Sequence, residues 1–166
     1  MRAVLAAPAT SLYEVVLAIH IMAVVVAFGV TFALPIMFTV TARRDPRSLP
    51  LLHRIEYTLE RTLVNGGLVV VVLAGIFLAS DGHHWSEFFV QWGLGVAIVI
   101  GGVVGAVLIP AGKSAEQIAE RDLAGAGEGA PALSDEYRAL VRRISVAGSL
   151  TGALVLLTIL FMVIQP

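Results

Sequence analysis

The stretch LYEVVLAIHIMAVVVAFGVTFALPIMFTV, Leu12 to Val40, decides the fold. Its apolar run is interrupted only by Glu14 near the start and by His20. A hydrocarbon core about 30 Å thick takes roughly 20 helical residues, so this stretch is long enough to cross a bilayer. It is too long for the short apolar core of a signal peptide, and the small residues of Ala3–Thr10 precede it instead of following it. It is therefore expected to stay in the protein as a first span.

Three more apolar runs follow: Thr62–Ser80, Phe88–Pro110 with Gln91 near its start, and Ile144–Ile164. None alternates polar and apolar residues as a barrel strand does, and helices are the other way to satisfy the backbone in lipid. The sequence thus predicts an all-α, antiparallel four-helix bundle in the membrane, a single domain with spans at about 12–40, 62–80, 88–110 and 144–164. Composition agrees. Hydrophobic residues make up 58% and charged residues 14% of the 166, against about 25% charged in soluble domains. The net charge of −1 leaves no global basic field for nucleic acid. The absence of Cys removes disulfides, thiolate catalysis and thiolate metal sites.

Charge then orients the spans. Arg43, Arg44, Arg47, Arg54 and Arg61 lie in loop 41–61, and Lys113, Arg121, Arg138, Arg142 and Arg143 lie in loop 111–143. The loop Asp81–Glu87 has no Lys or Arg, the N-terminal tail has only Arg2, and the C-terminal tail has none. The positive-inside rule places both basic loops in the cytoplasm and both termini outside, in a bacterial cytoplasmic membrane. Helices are expected to extend past the membrane on the basic side. Ser48, with Pro50 in the first turn, and Ser134, followed by Asp135 and Glu136, look like N-caps. Ala124–Pro131 reads as a flexible linker.

The halves resemble each other. Runs one and three end in Leu34-Pro35 and Leu108-Ile109-Pro110, and Glu56-Tyr57 and Glu136-Tyr137 precede runs two and four. A parallel repeat of two-helix units would give this pattern, as would chance among apolar helices. In the third run Gly93, Ala97, Gly101 and Gly105 fall four apart and form one smooth face. Gly148 and Gly152 repeat the spacing in the fourth. Small residues let helices approach closely in lipid, either within the chain or as the seam of a homo-oligomer.

His20 carries the most chemical information. It lies about 12 Å into the first span at 1.5 Å per residue, and ionisable groups at such depth are costly and usually paired or functional. Tyr13, Val16, Leu17, Ala23, Val24, Ala27 and Thr31 share its face, which suits the bundle interior. Three roles stand open for it: a hydrogen bond to a neighbouring helix, with Thr158 at similar depth as partner; ligation of haem iron or another transition metal; or a proton or substrate relay. His83 and His84, near Glu14 at the same interface, could bind copper or zinc, supply a second axial ligand opposite His20, or simply be solvated. Trp85 and Trp92 fit an interfacial aromatic belt. At the basic end, Arg61 and Asn65 are one turn apart. Glu56, Glu60 and Arg61 could join Arg142 and Arg143 in a charge network, but a solvated basic rim that includes His53 is the simpler expectation.

The segment Ile19-His20-Ile21-Met22-Ala23-Val24-Val25-Val26, with Phe28-Gly29 and Arg43-Arg44 beyond it, resembles the first helix of a family of small bacterial integral membrane proteins of unknown function. Leu133–Arg138 and the ending Phe161–Pro166 resemble that family too. The first helix is also similar to those of copper-resistance D-type membrane proteins and of HemJ-type protoporphyrinogen oxidases. That likeness implies copper handling or haem-linked redox work at His20. The third run lacks the Lys of the HemJ pattern, and only Met22, Met37 and Met162 are available in the spans for a copper path. The expectation is a haem- or metal-binding membrane protein with its site in the outer half. A small oligomeric transporter or channel, and a non-catalytic scaffold or partner subunit, are the alternatives.

Overall fold

The computed structural model describes residues 11–126 and 133–165. Arg2, the stretch before Thr10 and most of the expected linker lie outside the described residues. The described chain is helical: α1 (Leu12–Arg44), α2 (Leu49–Leu59), α3 (Asn65–Asp81), α4 (Phe88–Val103), α5 (Ile109–Gly125) and α6 (Asp135–Ile164). A short 3-10 turn, Pro46–Ser48, leads into α2. A π turn at Glu60–Val64 joins α2 to α3, and a second at Val104–Leu108 joins α4 to α5. Among the described residues, four continuous helices of 33, 36, 38 and 30 residues are thus long and apolar enough to span a membrane. At 1.5 Å per residue the second and third reach about 55 Å, well beyond a core of about 30 Å. Their polar lengths, α2 and α5, pack on each other at the end that carries the arginines.

The helices begin where side chains can replace missing partners. Ser11 and Glu14 form a reciprocal capping box: the Glu14 N–H donates to Ser11 Oγ at 3.2 Å and the Ser11 N–H to Glu14 Oε2 at 2.9 Å. Ser134 caps α6 by accepting from the Tyr137 N–H at 3.2 Å, as its sequence predicted. Ser48 does stand ahead of α2, but its hydroxyl bonds to the Asp45 carboxylate and caps no helical N–H.

Two apolar clusters sit along the bundle axis. The central one buries Ala27, Phe28, Val64, Val96, Ile100, Val104, Leu108 and Val155. The second, toward the basic end, buries Leu49, Ala115, Ala119 and Tyr137. The π turns explain how the central cluster stays in line. Val96, Ile100, Val104 and Leu108 are all buried at a strict spacing of four, and so are Glu56, Glu60 and Val64. In an α-helix each step of four rotates the stripe by about 40°. A π turn holds more residues per turn and takes back part of that drift. Both wide turns therefore keep a four-residue stripe aimed inward.

The glycine face lies one position along from this buried stripe. A Cβ on Gly93 would run into the end of the Met162 side chain, and one on Gly101 would meet Leu68 Cδ2 at 3.4 Å. Gly105 has nothing within 4 Å. Gly93 and Gly101 therefore serve packing inside the chain, and Gly105 does not. A close approach of backbone to backbone occurs elsewhere, where a Cβ on Gly67 of α3 would stand 2.6 Å from the Ala27 Cβ and 3.2 Å from the Ala27 Cα of α1. The residues proposed as repeats do not share environments: Glu56 is buried and Glu136 exposed, while Tyr137 is buried and Tyr57 only partly so.

Candidate functional site

Two histidines, one near each end of the bundle, are held by α1 and its neighbours. His20 projects from α1 toward α3. Its Nδ1 lies 3.0 Å from the Val71 carbonyl oxygen. A carbonyl can only accept, so Nδ1 carries the proton and donates, and in the neutral ring Nε2 keeps its lone pair. Gly75, one turn further along α3, makes room for the ring: a Cβ there would stand 3.4 Å from His20 Cε1. No hydrogen-bond partner of Nε2 occurs among the described residues.

The other residues singled out beside His20 are engaged elsewhere. Thr158 accepts from the Trp92 indole N–H at 3.1 Å and donates to the Leu154 carbonyl at 2.8 Å. Trp92 in turn packs edge-on against Phe161. Glu14 is used in the capping box. His83 adopts a left-handed backbone, φ 58°, and its Nδ1–H donates to the Asp81 carbonyl at 3.1 Å. The His84 ring folds back over Gly82 and packs against Phe89. Among the described residues no group of three or more His, Asp or Glu converges as a metal centre made by protein side chains alone would need.

At the basic end, where the sequence favoured a solvated rim over a charge network, the structure holds a buried cluster. His53 is 2% exposed, Tyr137 4%, and Glu56 and Glu60 8% each. His53 is the hub: Nδ1 lies 3.1 Å from Glu56 Oε2, and Nε2 lies 3.1 Å from the Tyr137 hydroxyl. Phe38 of α1 stacks on the ring at 4.6 Å between centroids, and Tyr137 of α6 meets it edge-on at 6.0 Å. Gly112 of α5 lies alongside, where a Cβ would be 3.6 Å from Glu56 Oε2. The expected solvated rim therefore does not include His53, Glu56 or Glu60. They face inward because their spacing places them on the same side of α2 as Leu49 and Leu52.

The charges that remain outside form a separate set. Arg54 bridges to Glu116 and Glu120 of α5. Arg61 donates to the Tyr57 hydroxyl at 2.8 Å, and the Lys113 ammonium sits 4.6 Å over the Tyr57 ring. Arg121 pairs with Asp122 and Glu136. No ion pair joins Arg142 or Arg143 to Glu56 or Glu60 among the described residues.

Residues 14–166 match the family model described as predicted integral membrane protein (DUF2269). The chain belongs to that family. No curated protein and no solved structure matches it. The match and the four apolar helices make this an integral membrane protein in contact with lipid.

Proposed function

We propose that this family member is a membrane-embedded binding protein that takes haem iron or another transition metal on His20 Nε2. The observation that carries this is the locked tautomer. A metal-binding imidazole commonly donates its second N–H to a carbonyl or carboxylate, which orients the ring and raises the basicity of the ligating nitrogen. His20 makes that bond to Val71 and leaves Nε2 unbonded. One turn toward the bundle centre, a shallow apolar groove of about 310 Å³ runs between α1 and α3, with Met22, Val26, Gly66 and Gly67 on its walls. An apolar macrocycle would find a compatible surface there. The remaining ligands would come from the bound group itself, from a second copy of the chain or from solvent.

The arginine distribution supports placing the His20 end away from the cytoplasm. Self-association belongs to this proposal at Gly105, the open end of the Gly93, Ala97, Gly101 and Gly105 face, and mass in detergent tests it.

The decisive measurement is the absorption spectrum of the purified protein with elemental analysis. A Soret band or a stoichiometric metal is expected. It should be lost in His20→Ala and retained in His83→Ala and His84→Ala. A colourless, metal-free protein that also fails to take up haem or copper overturns the proposal.

A further inference from the structure

The basic end carries an independent site. His53, Glu56 and Tyr137 satisfy one another in a buried chain of hydrogen bonds. Glu60 does not join it. Its carboxylate has no hydrogen bond or ion pair among the described residues, although the residue is more than nine-tenths buried. The charge it faces is Glu56, one turn back on the same stripe. The one group beside them that can carry positive charge, His53, is bonded to Glu56 and, among the described residues, makes no bond to Glu60. Phe38 closes the cluster from α1, Gly112 from α5 and Tyr137 from α6. The nearby Arg54, Arg61 and Lys113 are turned to Glu116, Glu120 and Tyr57. A buried carboxyl that lacks a cationic partner and stands one turn from a second carboxylate is costly to keep ionised.

We propose that Glu60 holds an exchangeable proton, and that the Tyr137–His53 chain fixes the Glu56 carboxylate one turn away from it. Access to the proton is built in. No side-chain polar atom that is sealed from the surface lacks a partner among the described residues, so the unpartnered oxygens of Glu60 keep a narrow opening. The π turn that begins at Glu60 holds this carboxyl on the inner stripe. The ligand of this site is thus a proton exchanged with the water at the basic end. His53 acts as a positioning residue, with both ring nitrogens committed.

Infrared spectroscopy of the full chain in phosphatidylcholine vesicles tests this. The wild type should show the C=O stretch of a protonated carboxyl at neutral pH, shifted in heavy water and lost as pH rises, with an amplitude of one proton per chain. Glu60→Gln should remove that titrating band. Glu116→Gln, on the outer face of α5, should leave it unchanged. His53→Gln should move the midpoint of the titration without abolishing it. A wild-type protein with no protonated carboxyl at neutral pH overturns the proposal, whether or not the variants fold. A band that persists unchanged in Glu60→Gln also overturns it.

Discussion

His20 and His53 are the same side chain in two different settings. Both have Nδ1 hydrogen-bonded, and both lie against α1, one on it and one beneath Phe38. His20 has a single partner, a backbone carbonyl that no mutation can remove, and its second nitrogen is open. His53 has two side-chain partners on two different elements and is almost fully enclosed. The difference separates a ring set to receive something from outside the chain from a ring that holds the chain together. Between them lies the central apolar cluster, with Phe28, Val64 and Ile100 fully inside it. Among the described residues the buried histidine and carboxylates therefore lie toward the ends of the bundle, while the middle holds hydroxyls such as Thr31 and Thr151, each bonded to a carbonyl of its own helix.

The contrast predicts unequal costs. His53→Ala should be the most destabilising of the changes considered. It strands the Tyr137 hydroxyl and a Glu56 oxygen in a buried space and removes the ring under Phe38. Each unsatisfied buried group costs about 1–3 kcal/mol, so a loss of about 3 kcal/mol or more is expected, read as a lower melting temperature in detergent. If His53→Ala melts no lower than His20→Ala, the distinction between the two rings is wrong.

Next comes the contact that holds α1 to α3 between the two sites. Gly67→Leu forces a side chain into the Ala27 Cβ and backbone, where even a Cβ would lie at 2.6 and 3.2 Å. Overpacking of this kind costs about 1–3 kcal/mol. It should also disturb His20, whose carbonyl partner Val71 is one turn away on the same helix. Gly66→Ala is the control, because nothing lies within 4 Å of its Cβ position. It should be neutral or slightly stabilising, since Ala exceeds Gly in helix propensity by about 1 kcal/mol. Equal melting of the two variants would mean that α1 and α3 do not pack this closely.

His20→Ala should cost less, about 1 kcal/mol for one partly exposed hydrogen bond to a carbonyl. A near-normal melting temperature together with a lost absorption band or metal is the signature of a ligand histidine. A large destabilisation without any spectral change would make it a packing residue instead.

The four spans were legible because hydropathy acts at the scale of whole helices. Leu12–Val40 announced a span by length alone, and Ser134-Asp135-Glu136 announced the start of α6. His20 was placed on an interior face by its helical neighbours, but its partner, a backbone carbonyl on α3, has no sequence signature. The basic-end cluster was missed because His53 sits in LLHRIEYTLE, where Arg54, Glu56, Tyr57 and Glu60 make the segment look like a wet rim. A signal was present nonetheless. Leu49, Leu52, His53, Glu56 and Glu60 fall on one helical face, and the apolar residues at its start mark that face as the buried one. The π turns left no mark in composition, so the rotation that carries Glu60 and Val64 inward was not readable. Ser48 shows a local limit, because a nearby Asp45 competes for the hydroxyl that a cap would use.

The smallest effect should come from the charges just outside the buried cluster. Arg54 reaches two carboxylates of α5, Glu116 and Glu120, but its side chain is 61% exposed. Water and salt screen such a pair, and holding long side chains in one geometry costs entropy. Arg54→Gln should therefore barely move the melting temperature at physiological salt, with any deficit appearing only at low ionic strength. Its neighbour one position back, His53, should show the opposite pattern, a large loss that salt does not change. Two adjacent residues on α2 would then differ in both the size and the salt dependence of their effects, as expected when one faces water and the other faces Glu56 and Tyr137. A strongly salt-dependent loss in His53→Ala would show that ions screen the ring itself, and the contrast between the two neighbours would fail.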